Sequence, residues 1–196
     1  MRSLLILFCA LFASSAVAQD SIYVGVGFGA FDYKENFASS ILGRVADNVS
    51  TYKLTGGFEF NEHFALEMNY GKTGKIRQRG TDNVPPYGQV TDALETDFSI
   101  TSLTAVGQMP FDWGALLAGL GYFSSENDFN ETFSADCCQT INNGGKINDD
   151  GLTGLLGIEW RFGRFGTRIG VRLEYQWWDI SRADASAAGI VLSYGF

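Results

Sequence analysis

Few side chains in this sequence have the type and spacing to do chemistry. His63 is the single histidine. A histidine acts as a general base when a nucleophile lies within hydrogen-bond reach. No serine is placed beside His63 by spacing, so the sequence gives it no catalytic partner. Cys137 and Cys138 are adjacent in "DCCQ". Neighbouring Cα atoms lie ~3.8 Å apart across a trans peptide, short of the usual disulfide range. Three fates stay open: a vicinal bridge, an intermolecular bridge, or two free thiols. Two thiols without a nearby histidine make a poor metal site. "NDDG" at Asn148–Gly151 lacks the spacing of a calcium-binding EF-hand loop and reads as a turn. No cofactor or metal is expected, and no enzymatic activity.

The charged residues form a pattern of another kind. Lys53, Glu59, Glu67, Glu159, Arg161, Arg168, Arg172 and Glu174 each fall on the glycine-rich face of an alternating segment. Four are cationic and four anionic. Charges of both signs interleaved with glycines suit an enclosed space in which long side chains pair, because an unpaired charge there costs several kcal/mol or more. A basic run, Lys72, Lys75, Arg77 and Arg79, is matched by Asp82, Asp92, Glu95 and Asp97. Contact with lipopolysaccharide phosphates is one reading of this run. A solvated strand extension with balanced charge is the reading preferred.

The elements that must position these residues alternate with period 2, which marks strands. In "SIYVGVGFGAF", Ile22, Val24, Val26 and Phe28 oppose Tyr23, Gly25, Gly27 and Gly29. The same alternation recurs in Thr51–Phe60, His63–Gly71, Asp97–Phe111, Ala115–Phe123, Gly151–Phe162, Thr167–Trp178 and Ala188–Phe196. Eight strands result. A slip in the alternation between Ile100 and Leu103 is read as a bulge. The connections alternate between tight turns and long stretches, Asp32–Ser50, Lys72–Thr96 and Ser124–Asp150, which are expected as loops. This pattern predicts a meander with all tight turns at one end and all long loops at the other, the layout of an outer-membrane barrel.

Period 2 does not say which face is inside. Aromatics collect near the ends of the apolar faces: Phe58, Phe60, Phe64, Tyr70, Tyr122, Trp160, Phe162, Tyr175, Trp177, Tyr194 and Phe196. Rings at strand ends fit girdles at two lipid–water interfaces. The apolar face is therefore expected to meet lipid and the charged face to fill the lumen. An eight-stranded barrel is just wide enough for that.

Composition agrees. Residues 1–18 read as a cleaved signal peptide, with Arg2, an apolar run from Leu4 to Phe12, and Ala16-Val17-Ala18 before the cut. Residues 19–196 are then one barrel domain. A formal net charge of −8 argues against nucleic-acid binding.

The cleavable leader, "SLTAVGQMPF" followed by "WGALLAGLGYF", "GLLGIEWRF" and the closing "AGIVLSYGF" resemble the OmpA-like transmembrane domain and the wider outer-membrane β-barrel family of Gram-negative bacteria. The resemblance implies an eight-stranded antiparallel up-and-down transmembrane β-barrel, with periplasmic termini and long extracellular loops. It implies outer-membrane lipids and lipopolysaccharide as surroundings, and the barrel assembly machinery as a partner that reads Tyr194 and Phe196. A monomer is expected. The expected role is envelope integrity or surface contact through the loops, with a small porin-like conduit as the alternative.

Overall fold

The computed structural model describes residues 21–36, 44–138, 140–164, 167–180 and 183–196. Residues 1–18, read above as a signal peptide, lie outside them. The described residues form nine strands in order: β1 (Ser21–Asn36), β2 (Arg44–Asn61), β3 (Phe64–Thr73), β4 (Ile76–Asn83), β5 (Gln89–Phe111), β6 (Gly114–Ala135), β7 (Ile141–Arg164), β8 (Thr167–Ile180) and β9 (Ala183–Gly195). Every pairing is antiparallel. β1 pairs with both β2 and β9, and β3 pairs with both β2 and β5. With the β5–β6, β6–β7, β7–β8 and β8–β9 ladders, these close a ring of eight strands. β4 stands apart from the ring. It resumes the line of β3 after a break at Gly74 and Lys75 and pairs with β5. Gly74 N donates to Ser50 O at 2.7 Å, which ties the break to β2.

The apolar faces point outward. Phe28 and Leu120 are 71% and 73% exposed, whereas Arg172, on the inward face of β8, is 2% exposed. Closure leaves no free backbone edge within the ring, as a bilayer interior demands. Aliphatic residues such as Val24, Leu54, Met68, Leu116 and Leu192 are exposed on this outer surface. Rings gather toward both rims. Phe111 packs on Trp113 with ring centroids 4.4 Å apart, and Tyr194 on Phe196 at 5.1 Å, on the tight-turn side. Tyr175 and Trp177 stack at 6.3 Å toward the other rim.

Two expectations need correction. The stretches read as long loops are strand for most of their length. Lys72–Thr96 contains β4 and the start of β5, leaving Val84–Gly88 as the connection. Ser124–Asp150 is divided between β6 and β7, leaving residues 136–140. Strand also covers 32–36 and 44–50, on either side of the undescribed residues 37–43. The reason is physical. Beyond the lipid band both faces meet water, so the apolar–polar alternation disappears while backbone pairing continues. The second correction concerns β5. Its register against β3 runs unbroken from Phe64↔Gly107 to Lys72↔Ser99, so Ile100–Leu103 contains no bulge. The register shift lies instead between Glu59 and Asn61 of β2. The alternation slips in β5 because Phe98 and Ile100 are apolar residues facing the lumen.

Candidate functional site: the lumen and the hairpin extension

The lumen holds two layers. Toward the tight-turn rim, all eight charged residues singled out from the sequence join one network. Arg172, buried on β8, places Nη1 2.7 Å from Glu67 Oε1 and 3.7 Å from Glu174 Oε2, and Nη2 3.7 Å from Glu159 Oε1. Lys53 pairs with Glu174. Arg161 donates from Nε to Glu159 at 2.7 Å and reaches Glu59 at 3.4 Å, and Arg168 also pairs with Glu59. Four cations thus meet four carboxylates inside a closed wall. Neutral groups complete the network. The Tyr23 hydroxyl donates to Glu67, Gln108 bonds both Arg161 and Glu59, and Ser193 Oγ donates to Glu159 at 3.3 Å. Sequence reasoning missed Tyr23, Asn69, Gln108, Gln176 and Ser193. Their shared parity with the charged residues was the available signal.

Glycines give these side chains their room. A Cβ on Gly57 would lie 2.1 Å from the Tyr23 ring, and one on Gly170 would lie 2.6 Å from Glu159 Oε1. The wall is not polar throughout. Val106, Leu117 and Leu155 pack with Tyr23, Ala65 and Ala115 on the β5–β7 side.

Toward the other rim the lumen is apolar. Phe31, Tyr33, Ile76, Leu94, Phe98, Ile100, Phe123, Trp178 and Ala185 form one buried cluster. Tyr33 and Phe98 have ring centroids 4.8 Å apart, Phe31 and Phe98 5.7 Å, and Phe31 and Trp178 5.8 Å. Such tilted pairs contribute roughly 0.5–1.5 kcal/mol beyond their area burial.

Above this cluster β4 to β7 continue as a four-stranded sheet beyond the ring. Its charges are paired locally. Arg77 Nε donates to Glu95 at 2.8 Å, and Lys75 bonds the same carboxylate. These hydrogen bonds hold Glu95 below the usual carboxylate range. Lys72 lies 3.6 Å from Asp97. Lys146 contacts Glu126 at 2.6 Å and Asp128 at 3.5 Å, and the hydrogen bond to Glu126 pushes its ammonium pKa up. Asp92 is buried and one of its oxygens finds no protein partner; burial pushes its pKa up. The basic run is thus mostly balanced by its own neighbours.

The tips of the two hairpins are clasped. Asp136 N donates to Gln89 O and Gln89 N to Asp136 Oδ2, each at 3.1 Å. Cys137 and Cys138 follow directly and are joined in a vicinal disulfide. Gly88, at φ +75°, turns the chain against Asp136, where a Cβ would come within 3.2 Å of that side chain. Ile141, Ile147, Tyr87 and Phe133 project exposed from this region. β8 pairs with β7 from Thr153 onward, so the preceding stretch of β7 has an open edge among the described residues.

His63 sits in the turn between β2 and β3, exposed, with Nδ1 3.4 Å from the Gln108 carbonyl and Nε2 3.6 Å from Glu62. No hydroxyl or thiol is placed against it in any contact of the described residues. No group of three His, Cys, Asp or Glu among the described residues is arranged to hold a metal ion.

A closed antiparallel ring with an apolar exterior, aromatic rims and a filled, charge-paired interior defines a membrane-spanning β-barrel. The chain belongs to the outer membrane protein β-barrel domain family, whose model matches residues 3–196. Among curated proteins none matches by sequence. Among solved structures it is similar to Ail, the attachment invasion locus protein of Yersinia pestis, with 15% identity, 92% of this chain and 100% of that chain covered, and a TM-score of 0.55. The same protein in complex with the heparin analogue sucrose octasulfate matches at 16% identity, 90% and 99% coverage and a TM-score of 0.53. Neisserial surface protein A matches at 12% identity, 88% and 95% coverage and a TM-score of 0.50. At these identities the likeness concerns the fold.

Proposed function

We propose that the protein is a non-enzymatic outer-membrane barrel that makes surface contacts through the β4–β7 extension. In this reading residues 1–18 are removed, the tight turns and both termini face the periplasm, and the clasped hairpins project outside the cell. The observation that carries the reading is the extension itself: a sheet beyond the lipid band, with exposed Ile141, Ile147, Tyr87 and Phe133 and an open β7 edge. Unpaired strand edges are ready templates for another chain. The heparin analogue bound by Ail is in keeping with a surface-binding role for barrels of this shape. Outer-membrane lipids and lipopolysaccharide surround a monomeric barrel. Tyr194 and Phe196, projecting outward at the tight-turn rim, serve as the signal for the barrel assembly machinery. Deleting Phe196 is expected to reduce insertion while leaving inserted barrels stable.

The test is a binding screen on cells. Variants with both hairpins shortened to the barrel rim are compared with the intact protein against immobilised matrix proteins and sulfated polysaccharides. The intact chain should bind at least one of them, and the shortened barrel should insert but fail to bind. Equal binding by both would contradict the reading. The alternative, a conduit for small solutes, has both lumen layers against it.

A further inference from the structure

The hairpin extension sorts its charges by face. Strand parity carries over from the barrel, where Phe98 of β5 and Phe123 of β6 are buried on the lumen side. On that parity the extension holds Asp82 of β4, Asp92 of β5, Glu131 of β6 and Asp149 of β7. No lysine or arginine in the described strands of the extension shares it. Lys75, Arg77 and Lys146 lie on the opposite, outer face, where they pair with Glu95, Glu126 and Asp128. The outer face is balanced, and the inner face is acidic.

The inner carboxylates are aligned. Asp82 stands opposite Val90, and Glu131 opposite Leu94, so Asp92 is the diagonal neighbour of both. Such neighbours lie roughly 7–8 Å apart, and like charges placed there repel. Asp82, Asp92 and Glu131 enter no ion pair among the described residues. Asp92 is 3% exposed, and its Oδ1 finds no hydrogen-bond partner. No three carboxylates among the described residues are arranged to hold a metal ion. Apolar side chains flank this line on the same face. Phe133 stands opposite Ile141, and both are exposed, as is Ile147. Phe129 lies over Gly145, where a Cβ would come 3.1 Å from the ring. Beyond Ile141 and Ile147 the sheet ends at the open β7 edge.

A surface of this kind is complemented by cations that carry apolar groups with them. Lipid phosphates and sulfated polysaccharides are repelled by it. A second copy of the chain would set the same carboxylates against these. We propose that the inner face of the β4–β7 extension binds a cationic, apolar polypeptide segment. Its Lys or Arg side chains are drawn to the Asp82–Asp92–Glu131 line, and its apolar residues cover Phe133, Ile141 and Ile147. This inference rests on the reading of the extension as the contact surface and gives that surface its class of partner.

The test titrates the native barrel, in phosphatidylcholine nanodiscs, with a fluorescent peptide of repeated Lys-Lys-Val-Val. In extended form this peptide carries both residue types on each face. Anisotropy reads binding, with empty nanodiscs as the blank. The native chain should bind it and leave the Glu-Glu-Val-Val counterpart unbound. D92N/E131Q should weaken binding at least about tenfold, as neutralising one side of a desolvated charge pair does. E126Q/D128N removes the same charge from the outer face and should leave binding unchanged. Equal weakening by the two variants overturns the proposal, because net charge alone then attracts the peptide. A native barrel that leaves the lysine peptide unbound also overturns it, whether or not the variants fold. Heparin in the same assay separates the two readings. If the intact barrel binds heparin but not the lysine peptide, and a barrel with shortened hairpins binds neither, the partner class is wrong and the contact surface stands.

Discussion

The two lumen layers fill the same barrel by opposite means. Near the tight turns, Arg172 is surrounded by Glu67, Glu159 and Glu174, and the layer is held by matched charge. Near the hairpins, Phe31, Tyr33, Phe98 and Trp178 hold one another by ring packing. The charged layer is one chain of ion pairs that links all eight residues. The aromatic layer shares its contacts more diffusely. The lesson is that occlusion of a narrow barrel does not require one chemistry, and that the two chemistries fail differently when one member is removed.

The largest effect is expected from R172A. It leaves three carboxylates buried without their shared cation, and breaking a buried pair in this way costs about 3–5 kcal/mol. Urea titration of folding into lipid vesicles measures it. A loss below 1 kcal/mol would mean that Lys53 and Arg161, which already pair with Glu174 and Glu159, balance the layer without Arg172. F98A comes next, at about 3 kcal/mol, the low end for removing a buried phenyl group. Its distinguishing sign is a change in permeability across the aromatic layer in addition to lower stability. If R172A opens the barrel and F98A does not, the charged layer is the seal and the contrast is reversed.

The smallest effect concerns Asp92 in the extension. Burial raises its folded pKa above the unfolded value. Its charge therefore opposes folding above the folded pKa, and the penalty vanishes below the unfolded carboxylate range near pH ~4. D92N should protect backbone amides of the β4–β5 hairpin slightly better than the native residue at neutral pH, with the gain fading as pH falls. Hydrogen exchange at neutral and acidic pH reads this. A gain that grows on acidification would contradict the sign.

The charged layer was legible in the sequence because charges on a glycine-rich strand face are out of place unless they are enclosed. The ring closure followed from the strand count and the alternation of turns. The aromatic layer was not legible, for a local reason. Tyr122 and Phe123, or Trp177 and Trp178, are neighbours of which one faces lipid and the other the lumen. Where both parities are apolar, period 2 carries no signal, and in β5 the same effect imitated a bulge. The hairpin extension was hidden for the converse reason. From Ser124 to Asp150 both faces of the strands are polar or mixed, so only backbone pairing reveals them. The neutral partners Gln108, Asn69 and Ser193 gave no charge signature, although they sit at the parity of the lumen.

If both layers close the lumen, as the proposed function requires, the folded protein forms no pore. Planar-bilayer recording of the purified, folded native protein decides this. No steady channel activity is expected. Reproducible conductance steps from the native barrel, abolished by substitutions that enlarge lumen side chains, would contradict it.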